Sequence, residues 1–173
     1  GVRALDAQSG RTLWTWHSTP PAEPAGTSTA GVQRWGPSGA SVWSTPTVDA
    51  KRGLIYIGTG QNFSHPATAT SDAVIALGIE DGTPRWQFQA LADDVWNGAC
   101  QLDGPNCPAN PGPDWDIGAS VVLSTSPAGR DTLLVGQKSG ELFALDPDAR
   151  GTVLWRKRLG QGTPNGGNSG IHW

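Results

Sequence analysis

The sequence predicts an all-β protein assembled from repeated antiparallel sheets. Three observations predict it. Glycine (24) and proline (14) supply about a fifth of the 173 residues, against average usage of roughly an eighth, so the chain turns often. Tryptophan dominates the aromatic residues, nine against three Phe and one Tyr. One pattern recurs three times, with Trp14, Trp86 and Trp155 in matching places roughly 70 residues apart.

The first copy is GVRALDAQSGRTLW, residues 1–14. Its V-x-A-L and T-L-W runs alternate as half-buried strands do. Between them, Asp6 and Gly10 offer a turn its side-chain acceptor and its positive φ. In residues 40–62, ASVWSTPTVDAKRGLIYIGTGQN, a strand is expected over Ser44–Val48, a turn over Asp49–Gly53 and a strand over Leu54–Gly58. The second copy, DAVIALGIEDGTPRW, spans residues 72–86. Residues 116–140, DIGASVVLSTSPAGRDTLLVGQKSG, give another strand, a Pro/Gly turn and a strand. The third copy, GELFALDPDARGTVLW, spans residues 140–155. Ala4, Ala76 and Ala144 match one another, as do Gly10, Gly82 and Gly151, and each copy is expected to end its last strand at the Trp.

A unit is therefore four strands. One such sheet cannot bury both faces alone, so units stack radially as blades of a β-propeller, each Trp giving the next blade a large apolar face. The chain holds roughly two and a half blades, and closure needs at least about four, so residues 1–173 are expected to form part of a single propeller domain. Gly1-Val2-Arg3 reads as the middle of a unit rather than as a leader. The repeat exceeds a minimal blade of about 40–50 residues, and the excess is assigned to loops, where function concentrates.

Net charge is -3 with pI near 5.5, and no basic block occurs, which argues against nucleic acid or an anionic membrane as partner. No apolar run is long enough to span a bilayer. No C-x-x-C-H motif for covalent haem and no dinucleotide-type glycine loop is present. His17, His65 and His172 lack metal-ligand spacing and read as surface or packing residues. Cys100 and Cys107 share one loop; they fit a local disulfide in an oxidising compartment, or two plain thiols.

The repeat A-L-D-x-x-x-G-x-x-x-W resembles the tryptophan-docking motif of quinoprotein dehydrogenases, eight-bladed propellers that bind pyrroloquinoline quinone (PQQ). Residues 31–62 are similar to the family segment that stacks a tryptophan on the quinone and then reaches calcium. VWNGACQLDGPNCP, GPDWDIGAS, GQKSGELFALDPD and SGIHW most resemble the polyvinyl-alcohol-oxidising members. The resemblance implies that Trp43 lies flat against PQQ. It implies that Gln61 and Asn62 follow the G-T-G that leads to calcium, although relatives place Asn or Asp directly after that glycine. It implies that Lys138 is the cation over the reactive quinone carbonyls.

The family's general base belongs to a Trp-Asp pair, and two segments compete for it here. DVWN, residues 94–97, carries Asn97 where an acid is needed, and an amide takes no proton at neutral pH. PDWD, residues 113–116, keeps the pair, so Asp116 is expected to be the base and a calcium ligand, with Asp114 as a helper carboxylate or turn cap. The insert 98–112, with both cysteines, is expected near the mouth of the site; the adjacent-cysteine disulfide of relatives is missing. The implied reaction is oxidation of an alcohol, secondary or polymeric, by hydride transfer to PQQ in the periplasm, with cytochrome c as electron acceptor. The rival expectation is a non-catalytic propeller, such as an outer-membrane assembly scaffold, which needs the docking repeats but no quinone pocket.

Overall fold

The computed structural model describes residues 1–167 and 169–172. Trp173, the last residue of the SGIHW motif, and Asn168 lie outside the described residues.

Fourteen strands appear among the described residues. The chain opens with a hairpin, β1 (Val2–Leu5) and β2 (Thr12–Trp16), paired antiparallel. Two short ribbons follow: β3 (Glu23–Thr27) pairs with β4 (Gln33–Gly36), and β5 (Ser38–Gly39) pairs with β8 (Asn62–Ser64). The first complete blade contains β6 (Thr47–Asp49), β7 (Leu54–Gly58), β9 (Ala73–Gly78) and β10 (Pro84–Gln89), in spatial order β10-β9-β7-β6. The second contains β11 (Val122–Thr125), β12 (Asp131–Gly136), β13 (Glu141–Asp146) and β14 (Thr152–Arg158), in chain order. Two four-stranded sheets and a hairpin are the two and a half blades expected.

Three local expectations need correction. The strand proposed over Ser44–Val48 begins only at Thr47, because Pro46 precedes it and residues 43–45 form a loop against the next blade. The strands do not stop at the tryptophans: β2, β10 and β14 run on to Trp16, Gln89 and Arg158. The excess over a minimal blade is not all loop, since it contains the ribbons β3–β4 and β5–β8.

The three copies close their turns alike. Gly10, Gly82 and Gly151 have φ of 70°, 67° and 75°. Their backbone N–H groups donate to Asp6, Gly78 and Asp146 carbonyls at 2.8, 2.9 and 2.9 Å. These left-handed positions also receive the docking rings. Trp14 packs against Gly82, and its Nε1 donates to the Ile79 carbonyl at 2.8 Å. Trp86 packs against Gly151, where an added Cβ would lie 2.5 Å from the ring. At Gly10 no described residue lies within 4 Å of an added Cβ, and Trp155 remains 46% exposed.

The cores lie between blades. Leu54, Tyr56, Val74 and Trp86 of one complete blade meet Leu133, Val135, Phe143 and Leu145 of the other, with Ile117 and Val121 from the connecting segment. A second layer joins Ile57, Ala73, Ile75 and Leu77 to Val2 and Trp16 of the hairpin. Strand β9 is buried along its whole length, which explains its uninterrupted AVIALG run.

Arg52, in the turn between β6 and β7, ties the two blades together. Its guanidinium pairs with Asp49 at 2.8 Å, Asp131 at 2.9 Å and Asp148 at 2.8 Å, while only a tenth of the side chain is exposed.

Candidate active site

The segment GPDWDIG crosses from one complete blade to the next, and both blades hold it. Gly112 has φ 83°, and any Cβ there would meet Asp94. Asp94 receives the Trp115 backbone N–H at 3.1 Å and the Trp96 N–H at 3.3 Å, which folds the segment over. Asp116 is fixed at two atoms. Its Oδ1 accepts the Gln61 backbone N–H at 2.9 Å, just past the end of β7. Its carbonyl accepts the Lys138 N–H at 3.0 Å, in the turn after β12. Next to it, Ile117 donates to the Thr59 carbonyl at 3.2 Å and packs on Gly58, where a Cβ would strike it.

Lys138 reaches back across this segment. Its Nζ pairs with Asp114 Oδ2 at 3.0 Å and with Asp116 Oδ2. It also lies 5.3 Å from the centroid of the Trp43 ring, within cation–π range. All three charged side chains are nearly buried, at 8%, 4% and 3% exposure. Trp43 keeps 39% of its surface exposed and stands edge-on to His172, with centroids 5.6 Å apart. Gly118 and Gly60 leave room for its indole, since a Cβ at either would come within about 3 Å of it.

Trp43, Gln61, Asp114, Asp116 and Lys138 therefore line one cavity of about 270 Å³, with Ser41, Phe63, Trp96 and Gly166. Asn62 does not line it. Its amide oxygen accepts from Thr68 N at 2.7 Å and its nitrogen donates to the Ser38 carbonyl at 3.0 Å, so it anchors the adjoining loop.

Burial raises the Asp114 carboxyl to about 6, and the neighbouring Asp116 charge adds to the rise against the pull of Lys138. Burial alone would lower Lys138; its pairs with Asp116 and Asp114 outweigh that and hold it above its ordinary value. Two further buried carboxylates stand behind the cluster. Asp72 is raised well above the usual range, first by burial and then by the Asp94, Asp116 and Asp114 charges. Asp94 is raised too, chiefly by burial.

Neither Asp72 nor Asp94 was singled out as a site residue from the sequence, nor were Trp96 and Phe63. The available signal was a charge abutting an apolar run, S-D before AVIAL and D-D before V-W. Asn97 explains itself structurally. Its amide donates to the Phe63 carbonyl at 2.9 Å and the Asn106 carbonyl at 3.1 Å, and it accepts from Ala99 N at 3.0 Å. An aspartate could make only the last of these. Cys100 and Cys107 form a disulfide, and their loop walls a larger cavity beside the cluster, as expected for the insert 98–112.

The arrangement suits a planar, electron-accepting group. It offers an indole face, a fixed ammonium and a carboxylate that can take a proton. The donors also suit a hard cation: Asp116, the orphaned buried Oδ1 of Asp114 and the Gln61 amide are all oxygen ligands. Among the described residues no group of three or more His, Cys, Asp or Glu side chains is compact enough to hold a metal unaided.

The family described as PQQ, glucose/ethanol/alcohol dehydrogenase, β-propeller domain, matches residues 1–109. The chain is 43% identical over 166 residues to a polyvinylalcohol dehydrogenase of Pseudomonas sp, covering 95% of this chain and 26% of that protein. It is 42% identical over 168 residues to the polyvinylalcohol dehydrogenase of Sphingopyxis sp. (strain 113P3), with the same coverage. The chain thus spans about a quarter of the length of these curated relatives. In fold it is similar to the quinohemoprotein alcohol dehydrogenase from Comamonas testosteroni, with TM-score 0.59 and 20% identity over 98% of this chain and 27% of that one. It is similar also to a europium-containing methanol dehydrogenase, with TM-score 0.64 and 17% identity over 91% of this chain and 29% of that one. A partial β-propeller built on tryptophan-docking turns, this chain belongs to the PQQ-type glucose/ethanol/alcohol dehydrogenase family.

Proposed function

We propose that the chain supplies the base, the cation and one stacking face of a PQQ-dependent alcohol dehydrogenase that acts on secondary alcohols or polyvinyl alcohol. The observation that carries this reading is the convergence of Trp43, Lys138, Asp114 and Asp116 in one cavity from separate stretches of chain. PQQ, bound against Trp43, supplies the hydride acceptor. Asp116 Oδ1 is committed to the Gln61 N–H, which leaves Oδ2, in the ion pair with Lys138, to take the hydroxyl proton. Lys138 stabilises negative charge that develops on the acceptor. Trp96 and Phe63 add aromatic surface to the wall of the same cavity. Gln61, Asp114 and Asp116 would hold calcium; cytochrome c would take the electrons, and the Cys100–Cys107 bond suits the periplasm.

The test is alcohol-dependent dye reduction by the full-length protein, with and without PQQ and calcium. Activity is expected only with PQQ. Asp116→Asn should lower kcat by at least about a hundredfold, the usual contribution of a positioned base. Full turnover by that variant would remove Asp116 from the role. A folded protein that binds no PQQ and oxidises no alcohol would favour the propeller scaffold instead.

A further inference from the structure

Asp94 is a buried carboxylate that the proposed chemistry leaves unused. None of its surface is exposed, and no Lys, Arg or His among the described residues pairs with it. Burying a charge without a counter-ion is costly, so the groups it does bind are informative. All of them are backbone N–H groups. Oδ2 accepts from Trp115 at 3.1 Å and Oδ1 accepts from Trp96 at 3.3 Å, and the Asp114 N–H adds to the same carboxylate.

These partners come from the two ends of one loop. The chain leaves at Trp96 into the disulfide insert and returns at Gly112. One carboxylate therefore clasps the neck of the insert and holds side by side the Trp96-Asn97 and Trp115-Asp116 stretches, the two that compete for the base in the sequence. The Val95 N–H donates to the Pro111 carbonyl at 2.8 Å and closes the neck beside it. Gly112 permits the close approach: an added Cβ would lie 2.7 Å from Asp94 Oδ1 and 2.9 Å from its Cα.

The main chain of Asp94 completes a circuit. Its carbonyl accepts the Asn62 N–H at 3.0 Å. The residue before Asn62 is Gln61, whose N–H donates to Asp116 Oδ1 at 2.9 Å. Asp116 in turn follows Trp115, which Asp94 Oδ2 holds. The Asp116 carboxylate is thus set by a closed ring of hydrogen bonds anchored on Asp94 through its carbonyl and its carboxylate. Asp94 itself lines neither the 270 Å³ cavity nor the larger one beside it.

We infer that Asp94 is a positioning residue: it fixes where the Asp114–Asp116 stretch comes to rest after the insert, and so the angle at which Asp116 meets an alcohol, without touching alcohol or hydride acceptor. The inference rests on the alcohol-dehydrogenase reading. An amide of the same shape cannot replace Asp94, because it offers one acceptor oxygen and turns an NH2 toward the other N–H.

The experiment uses the full-length holoenzyme as wild type, Asp94→Asn and Gly112→Ala. Gly112→Ala drives a methyl into the same carboxylate and leaves its charge in place. The readouts are kcat, KM, PQQ affinity by quenching of tryptophan fluorescence, and hydrogen exchange at the Trp96 and Trp115 amides. Each variant should lower kcat by about ten- to a hundredfold, the scale of a displacement of about 1 Å, with KM and PQQ affinity within about twofold of wild type. Exchange at the Trp115 amide should quicken in both. Unchanged kcat in Asp94→Asn overturns the inference. So does a loss of PQQ affinity that matches the loss of kcat, which is general damage to the site. Full turnover by Gly112→Ala beside a slow Asp94→Asn also overturns it, because the effect then belongs to charge. If neither variant folds, the wild type decides: Trp96 and Trp115 amides as protected as those of β9 support the clasp, and rapid exchange overturns it. A wild type that oxidises no alcohol overturns the enzyme reading, and protected amides in that protein leave Asp94 as the fastener of a scaffold loop.

Discussion

Asp72, directly before β9, has φ 48° and is wholly buried, and neither carboxylate oxygen has a hydrogen-bond partner among the described residues. Burial without a partner favours the neutral form of such a group. Its folded-state pKa lies well above the ordinary 3.8, so its contribution to stability is fully present below that ordinary value and is lost as pH rises through the raised one. Asp72→Asn, which cannot ionise, should abolish that loss. Urea midpoints of the full-length protein from about pH 4 to about pH 9 should fall less steeply in the variant than in wild type. Identical slopes would show that Asp72 does not titrate in the fold. Asn97→Asp poses the complementary question. It preserves shape but deletes both donors to the Phe63 and Asn106 carbonyls. A loss of about 1–3 kcal/mol is expected, with faster proteolysis at the disulfide loop, and an unaffected loop would rule out the brace. At this scale the sequence was readable where a residue's chemistry is self-announcing. Trp43, Asp116 and Lys138 do come together. Asn62 has the right composition for a ligand but spends its amide on Thr68, and no local pattern states where a side chain points.

Blades are joined by two devices, one apolar and one ionic. Trp86 docks on Gly151, a left-handed position with no space for a side chain. Gly151→Val should therefore destabilise the full-length protein by more than about 2 kcal/mol, through backbone strain and the displaced ring together. Arg52 is the ionic device. Removing a nearly buried cation from among Asp49, Asp131 and Asp148 leaves carboxylates unpaired, and Arg52→Ala should cost about 3–5 kcal/mol. Arg52→Met should cost less than Ala if packing of the stem contributes, and urea unfolding of both reads the difference. The docking tryptophans were legible because they recur in register with a turn glycine. Arg52 was not, because two of its three partners lie 79 and 96 residues away and a lone Arg in a hairpin usually faces solvent. The ribbons β3–β4 and β5–β8 were hidden for a related reason. They are short, rich in Gly, Pro and Ser, and their pairing depends on the loop they line rather than on alternation.

Across the whole molecule, the two terminal blade surfaces remain open, at the Gly10 turn and along β14, where Val153, Leu154 and Trp155 are exposed. Residues 1–173 expressed alone should self-associate through these surfaces and the β14 edge, which pairs with no further strand among the described residues. Sedimentation velocity should show mass rising with concentration, and Trp155→Ser should reduce it; a concentration-independent monomer would count against the open-edge account. The fastening of Asp116 has a different consequence, for protein engineers. The residue is gripped by Gln61 on one blade and by Lys138 on the next, so it belongs to the seam and to neither blade. A chimaera that exchanged a single blade would join two halves of a site that never grew together. The smallest transplantable cassette is the pair of blades, with the crossovers placed before Trp43 and after Arg158.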